Sequence, residues 1–112
     1  MLNKDSKIYI AGHRGMVGSA CWRTLKAAGY QNLIGKSSIE LDLRNQEDVK
    51  NFLAHEKPHA IIDAAAKVGG IYGNNTYPAD FIYDNLMIEA NVIHEAWSAG
   101  IDRLLFLGSS CI

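Results

Sequence analysis

The sequence predicts an α/β fold whose parallel sheet is covered by helices on both faces. Three observations carry that expectation. Short apolar runs alternate with longer segments of helical periodicity along the chain of 112 residues. The runs, such as Ile8-Tyr9-Ile10-Ala11 and Ala60-Ile61-Ile62, are continuously apolar rather than alternating, as strands buried on both faces are. The first run passes through a glycine-rich turn straight into a helical segment, the connection a parallel sheet needs.

Each element has its own signal. Residues 7–11 read as the first strand and residues 12–18 as the turn. Over residues 16–28 the apolar positions Val17, Ala20, Cys21, Leu25 and Ala28 recur at helical spacing, and Gly29 is a natural stop. Cys21 and Trp22 are read as packing residues of that helix. Leu33 and Ile34 make a brief second strand, ended by Gly35. Asn45 is placed to cap a helix reaching about His55, with Val49, Phe52 and Leu53 turned inward, and Pro58 breaks it. Residues 59–66 read as a buried third strand and its exit, and residues 68–77 as a loop rich in Gly and Asn. A long helix over Pro78–Ser98 carries an apolar stripe of Ile82, Leu86, Ile93 and Trp97, supported by Phe81, Val92 and Ala96, and Gly100 ends it. Residues 103–107 read as the fourth strand.

Composition narrows the function classes. Apolar residues make up 48% and charged residues 21% of the chain, a globular balance. The net charge of -1 gives no electrostatic footprint for nucleic acid or an anionic membrane. The two cysteines, Cys21 and Cys111, lack the spacing of a disulfide framework or a zinc site. His13, His55, His59 and His94 show no spacing for a metal, so none is expected. With no signal-peptide core after Met1 and no apolar run of bilayer length, a cytoplasmic protein is expected. The fourth strand leads into Gly108-Ser109-Ser110-Cys111-Ile112, a turn that normally leads onward, so residues 1–112 are expected to be the N-terminal part of a larger domain.

The turn carries the strongest motif. Gly12, His13, Arg14, Gly15, Met16, Val17 and Gly18 form a GxxGxxG pattern between strand and helix, the place of a Rossmann-like dinucleotide site in a doubly wound parallel sheet. One glycine permits the tight turn, the next lets backbone approach a pyrophosphate, and the last lets the helix pack on the sheet. The helix N-terminus then offers free N–H groups to phosphates. Arg14 can fork onto an extra phosphate, and the end of the second strand reads Gly35-Lys36-Ser37-Ser38 with no acid for ribose hydroxyls; both favour NADP(H) over NAD. Arg14 and Lys36 also read as solvated surface cations. Asp42 either meets the adenine edge or simply precedes the second helix. Ala65, among the small residues after the third strand, either admits the cofactor or packs under a helix. At the carboxyl end of the fourth strand, Ser109 can bond a substrate carbonyl, and Cys111 is either an acid/base or inert packing.

The segments AGHRGMVGSA, AAAKVGGI, NNTYPADFIY and LLFLGSSCI together resemble the GDP-L-fucose synthases, a family of extended short-chain dehydrogenases/reductases, and run in order over nearly the whole chain. The resemblance implies NADPH-dependent 3,5-epimerisation and 4-reduction of GDP-4-keto-6-deoxy-D-mannose. It places the pyrophosphate on residues 12–18, the 2'-phosphate near Arg14, and the nicotinamide side on Leu107, Gly108, Ser109 and Ser110. It makes Ser109 the serine that polarises the keto group and Cys111 an acid/base in epimerisation. It also implies a homodimer of the full-length protein. Where relatives carry arginine near the second strand, this chain has Lys36-Ser37-Ser38. The family's Tyr-x-x-x-Lys pair and GDP-sugar domain are expected beyond Ile112, so the chain alone is expected to be inactive. Two other readings fit the cofactor motif: a sugar-nucleotide dehydratase or 4-epimerase holding NAD tightly, and a noncatalytic NADP-binding module.

Overall fold

A computed structural model describes residues 2–65 and 78–107, with the side chains of residues 78–81 outside the described set. The strands are β1 (Ile8–Ala11), β2 (Leu33–Ile34), β3 (Ala60–Asp63) and β4 (Leu104–Phe106); the helices are α1 (Met16–Ala27), α2 (Gln46–Glu56) and α3 (Pro78–Ser98). All pairings are parallel, in the order β2-β1-β3-β4.

The continuous apolar runs are explained by two cores. Ile8 and Ile10 point to one face, against Trp22 and Leu25 of α1 and Tyr30 beyond it. Tyr9 and Ala11 point to the other, against Val49 and Leu53 of α2 and Val92 and Ala96 of α3. Every residue of β1 is buried, because alternate side chains serve opposite helical layers. This is the expected doubly wound, Rossmann-like arrangement. From β2 at the edge, the chain crosses β1 to reach β3. The strand order therefore switches between β1 and β3, and in open α/β sheets the crevice outside the carboxyl ends at such a switch point is where ligands gather.

Local signals set most boundaries. Gly29 has a φ of +99°, its N–H bonds Lys26 O at 3.1 Å, and the Tyr30 N–H returns to Leu25 O at 3.0 Å, which closes α1. The Asn45 side chain accepts from Asp48 N at 3.2 Å and opens α2. That helix ends at Glu56, one residue before the left-handed Lys57 and two before Pro58.

The long helix α3 departs from expectation. Its Ile82, Leu86, Ile93 and Trp97 do not face the core: they are 55%, 60%, 44% and 76% exposed. Trp97 is thus a surface residue and not a packing one. The inward face holds Ile88, Val92 and Ala96 together with Asp84, Asn91 and Glu95. The polar members can be buried because the chain before and within α2 supplies partners. Asn91 Nδ2 donates to Leu43 O at 2.9 Å, Gln46 Nε2 donates to Glu95 Oε2 at 2.8 Å, and Asp84 pairs with Arg44 at 3.6 Å. Apolarity alone finds Val92 and Ala96 on the inward side but puts Ile82, Leu86, Ile93 and Trp97 there as well, since it ignores those partners. The loop at residues 68–77 lies outside the described residues. Among those described, no helix is long and apolar enough to cross a membrane.

Candidate functional site

The crevice begins with the glycine turn. Gly12 has a φ of +77°, and a Cβ there would sit 2.7 Å from Ala64 O and 2.8 Å from the Cα of Ala65. A Cβ on Gly18 would come within 1.9 Å of Gly12 O. These two glycines bring the exits of β1 and β3 and the first turn of α1 into backbone contact, which no larger residue permits. Gly15 differs. It is exposed, and its Cβ would meet only Gly12 O, at 3.4 Å. The chain's own packing does not demand a glycine there, and the space above it faces the start of α1.

That helix start is bare. Gly15 is its N-cap, no side chain caps it, and its first turn has no acid. The leading N–H groups of a helix have no intrahelical acceptor and concentrate partial positive charge. Met16 and Val17 are exposed beside them. The arrangement can hold an anion by main-chain donors alone.

Next to the turn lies a cavity of about 410 Å³, whose lining includes Gly12, Lys36, Ser38, Asp42, Ala65 and Ile88. Its size suits a nucleotide-sized ligand. Four sequence-selected residues, Gly12, Lys36, Asp42 and Ala65, are thereby gathered at one place from β1, the β2 exit, the approach to α2, and the β3 exit. Arg14 is exposed on the turn. Its charge and that of Lys36 converge on Glu40. The Glu40 carboxyl is held below its ordinary range first by the Ser37 N–H at 2.9 Å, then by the Ser37 side chain, with Lys36 and Arg14 adding to the effect. His13 has another task. Its ring lies against Gly35, where a Cβ would be 2.5 Å from His13 Cγ, and tilts against Trp22 with centroids 5.5 Å apart. The imidazole therefore spaces the turn from the β2 exit.

Asp42 belongs both to the cavity and to the approach to α2. It lines the cavity, and its carbonyl accepts the N–H of the α2 cap Asn45 at 3.0 Å. Arg44 clasps its carboxylate, with Nε to Oδ1 and Nη2 to Oδ2 both at 3.0 Å. Arg44 was not selected from sequence, and nothing local to Leu43-Arg44-Asn45 signals it. Asp63 was missed too, although it does leave a signal: an acid inside the apolar run Ala60-Ile61-Ile62-Asp63-Ala64. It is fully buried. Burial pushes its carboxyl up to about 6; the hydrogen bond from Ala65 N works against that rise, and the charge of Glu89 adds to it. Tyr9 is raised as well, first by burial and then by Asp63.

At the far side of the crevice, Leu107 is half-buried and its N–H donates to Asp63 O at 3.0 Å. Gly108, Ser109, Ser110 and Cys111 lie outside the described residues, as do Ala66 and Lys67. Among the described residues no cluster of three His, Cys, Asp or Glu is arranged to hold a metal ion.

Comparison with known proteins places this geometry. Residues 8–112 match the model of the NAD dependent epimerase/dehydratase family. GDP-L-fucose synthase 1 of Arabidopsis thaliana is 59% identical over 112 residues, covering 100% of this chain and 35% of the relative. GDP-L-fucose synthase of Escherichia coli is 54% identical over 106 residues, covering 95% of this chain and 33% of the relative. Among solved structures, a GDP-D-glycero-L-gluco-heptose synthase from Campylobacter jejuni, determined in the presence of NADPH, superposes with a TM-score of 0.91 at 42% identity, covering 98% of this chain and 32% of that one. The chain thus spans about a third of the length of the relatives it matches.

Proposed function

The chain belongs to the NAD dependent epimerase/dehydratase family, and from that membership we propose that it is the cofactor-binding part of an NADPH-dependent enzyme that converts GDP-4-keto-6-deoxy-D-mannose to GDP-L-fucose by 3,5-epimerisation and 4-reduction. The observation that carries the cofactor half of this reading is the bare N-terminus of α1, with Gly15 open above it and the cavity beside it. The names of the relatives support the substrate half.

In this reading the main chain of residues 12–18 binds the cofactor's pyrophosphate. Arg14 and Lys36 hold the 2'-phosphate, the cavity wall at Asp42 receives the adenine, and Ala65 admits the cofactor to the crevice. Leu107, Gly108, Ser109 and Ser110 line the nicotinamide side. Bound NADPH supplies the hydride for the 4-keto carbon. Ser109 orients and polarises that carbonyl through its hydroxyl, and Cys111 moves a proton at the sugar carbons being epimerised. The full-length protein is taken to be a cytoplasmic homodimer, in which a second copy covers the outward stripe of Ile82, Leu86, Ile93 and Trp97 on α3. An exposed apolar stripe is a feature that contact surfaces share, and it supports this reading.

The test is Arg14→Ala in the full-length protein. A phosphate contact predicts that the dissociation constant for NADPH rises by about tenfold or more while that for NADH moves by less than about twofold. Equal losses for the two cofactors would overturn the phosphate role, and binding of neither by the unaltered protein would overturn the reading as a whole.

A further inference from the structure

Asp63 costs the fold something. It is the last residue of β3, its side chain lies on the same face as Ile61, and it is 0% exposed. A carboxyl in such a place loses its hydration, so what it bonds to decides why it is tolerated. One oxygen, Oδ1, accepts the N–H of Ala65 at 3.1 Å. The other, Oδ2, is buried with no hydrogen-bond partner among the described residues. Among the described residues, the titratable groups coupled to it by charge are Tyr9 of β1 and Glu89 of α3. Neither is a cation, so the carboxyl is not there to form an ion pair with them.

The bond to Ala65 explains the position. The Ala64 N–H is still part of the sheet, donating to Ala11 O at 3.0 Å. The next N–H, that of Ala65, falls just past the ladder, in a half-buried place where a donor needs a partner. Asp63 supplies it across two residues, the reach of an Asx turn. Both amides of the β3 exit are then fixed. That exit is the surface on which Gly12 closes: Ala64 O and the Cα of Ala65 approach within 2.7 and 2.8 Å of where a Gly12 Cβ would be. Ala65 also lines the cavity beside Gly12. A shift of the exit by a few tenths of an ångström would be passed directly to the glycine turn, because the contact between them is backbone on backbone.

We propose that Asp63 is a positioning residue for the dinucleotide cradle, holding through its Oδ1 the β3 exit against which Gly12 closes; the proposal rests on the dinucleotide reading given above. It makes no contact with the cofactor. Its role is separable from general core packing, because the proposal needs only the acceptor oxygen Oδ1, and among the described residues Oδ2 has no hydrogen-bond partner.

The experiment measures NADPH dissociation constants and thermal midpoints of the full-length protein and three variants. Asp63→Leu, which removes the acceptor, is expected to weaken NADPH by about tenfold. Asp63→Asn keeps an oxygen in place for the Ala65 N–H and is expected to stay within about twofold of the unaltered protein. Ile61→Ala, an equally buried position in the same strand, is expected to lower the midpoint at least as far with less than about a twofold change in affinity. Undiminished binding by Asp63→Leu, failure of Asp63→Asn to restore it, or an equal loss in Ile61→Ala would each overturn the proposal while leaving the dinucleotide reading intact. An unaltered protein that binds neither NADPH nor NADH would end both. If Asp63→Leu does not fold, amide exchange in the unaltered protein reads the same bond. The Ala65 N–H is expected to exchange at least about tenfold more slowly than an unbonded turn amide, and exchange at the unbonded rate would refute the arrangement.

Discussion

The first two helices begin in opposite ways. The N-terminus of α2 is served by its own sequence: Asn45 accepts from Asp48 N, and Glu47 and Asp48 put negative charge in the first turn. The N-terminus of α1 has a glycine cap, no side-chain acceptor and no acid, and Met16 beside it is 89% exposed. Against a glycine cap, a side-chain cap is worth about a few tenths of a kcal/mol, a small stability that α1 forgoes and α2 takes. The difference separates a helix end that its own side chains complete from one they leave open, which is the end the proposed pyrophosphate site uses. Three substitutions test how far the contrast holds.

The largest effect belongs to Gly18→Ala. The added Cβ would lie 1.9 Å from Gly12 O, 2.6 Å from Gly12 C and 3.0 Å from the Cα of His13. All three are backbone atoms of the turn, so relief requires moving the turn or the whole helix. Overpacking of this kind is expected to cost about 3 kcal/mol or more in denaturant unfolding of the full-length protein, with NADPH binding lost in parallel. Unchanged stability would mean that α1 is not seated on the turn. The open end of α1 would then be an accident of position rather than part of a closed cradle.

The two helix ends also show what was legible in the sequence. Asn45 announces a cap and Gly29 a stop within three or four residues of where each acts, and the GxxGxxG turn is equally local. The short apolar strands could be read because burial on both sheet faces leaves no polar alternation to interpret. Of the inward side of α3, only Val92 and Ala96 could be read. The buried polar residues Asp84, Asn91 and Glu95 are met by Arg44, Leu43 and Gln46, some forty to fifty residues earlier. Distance in sequence also hid the pairing of Arg44 with Asp84, forty residues on, whereas its other partner, Asp42, is only two residues away. Of the cavity lining, Gly12 of the turn and Lys36 could be singled out from residue type and place. The support from Asp63 needed the fold, because an acid in an apolar run signals something buried without saying what it bonds.

A more selective change gives α1 the charge that α2 already has. Met16→Glu adds an acid to the first turn of α1 at a side chain so exposed that no packing is lost. Without ligand, the helix should gain a few tenths of a kcal/mol from the interaction of the carboxylate with the helix dipole. The same carboxylate would repel the pyrophosphate, and the NADPH dissociation constant is expected to rise by about tenfold, less at high salt. Stability and affinity should therefore move in opposite directions. If both rise, the anion does not bind at this end of α1.

Asn45→Ala gives the smallest expected effect and the cleanest control. Removing the Asn45 side chain deletes the bond to Asp48 N and leaves an exposed helix end, at an expected cost of about 1 kcal/mol in unfolding free energy. The loss should not exceed that, because Val49 and Leu53 still bury the helix against the sheet and Gln46 still reaches Glu95 on α3. Cofactor affinity should stay within about twofold of the unaltered protein, since the cap faces its own helix and not the turn. A large loss of NADPH binding in Asn45→Ala would show that the two ends are coupled, with Asp42 and Arg44 as the route: the Asp42 carbonyl accepts the Asn45 N–H while its carboxylate lies at the cavity. An unaltered dissociation constant beside a measurable loss of stability would establish that α2 is capped for the fold alone, leaving the bare end of α1 as the one set aside for the ligand.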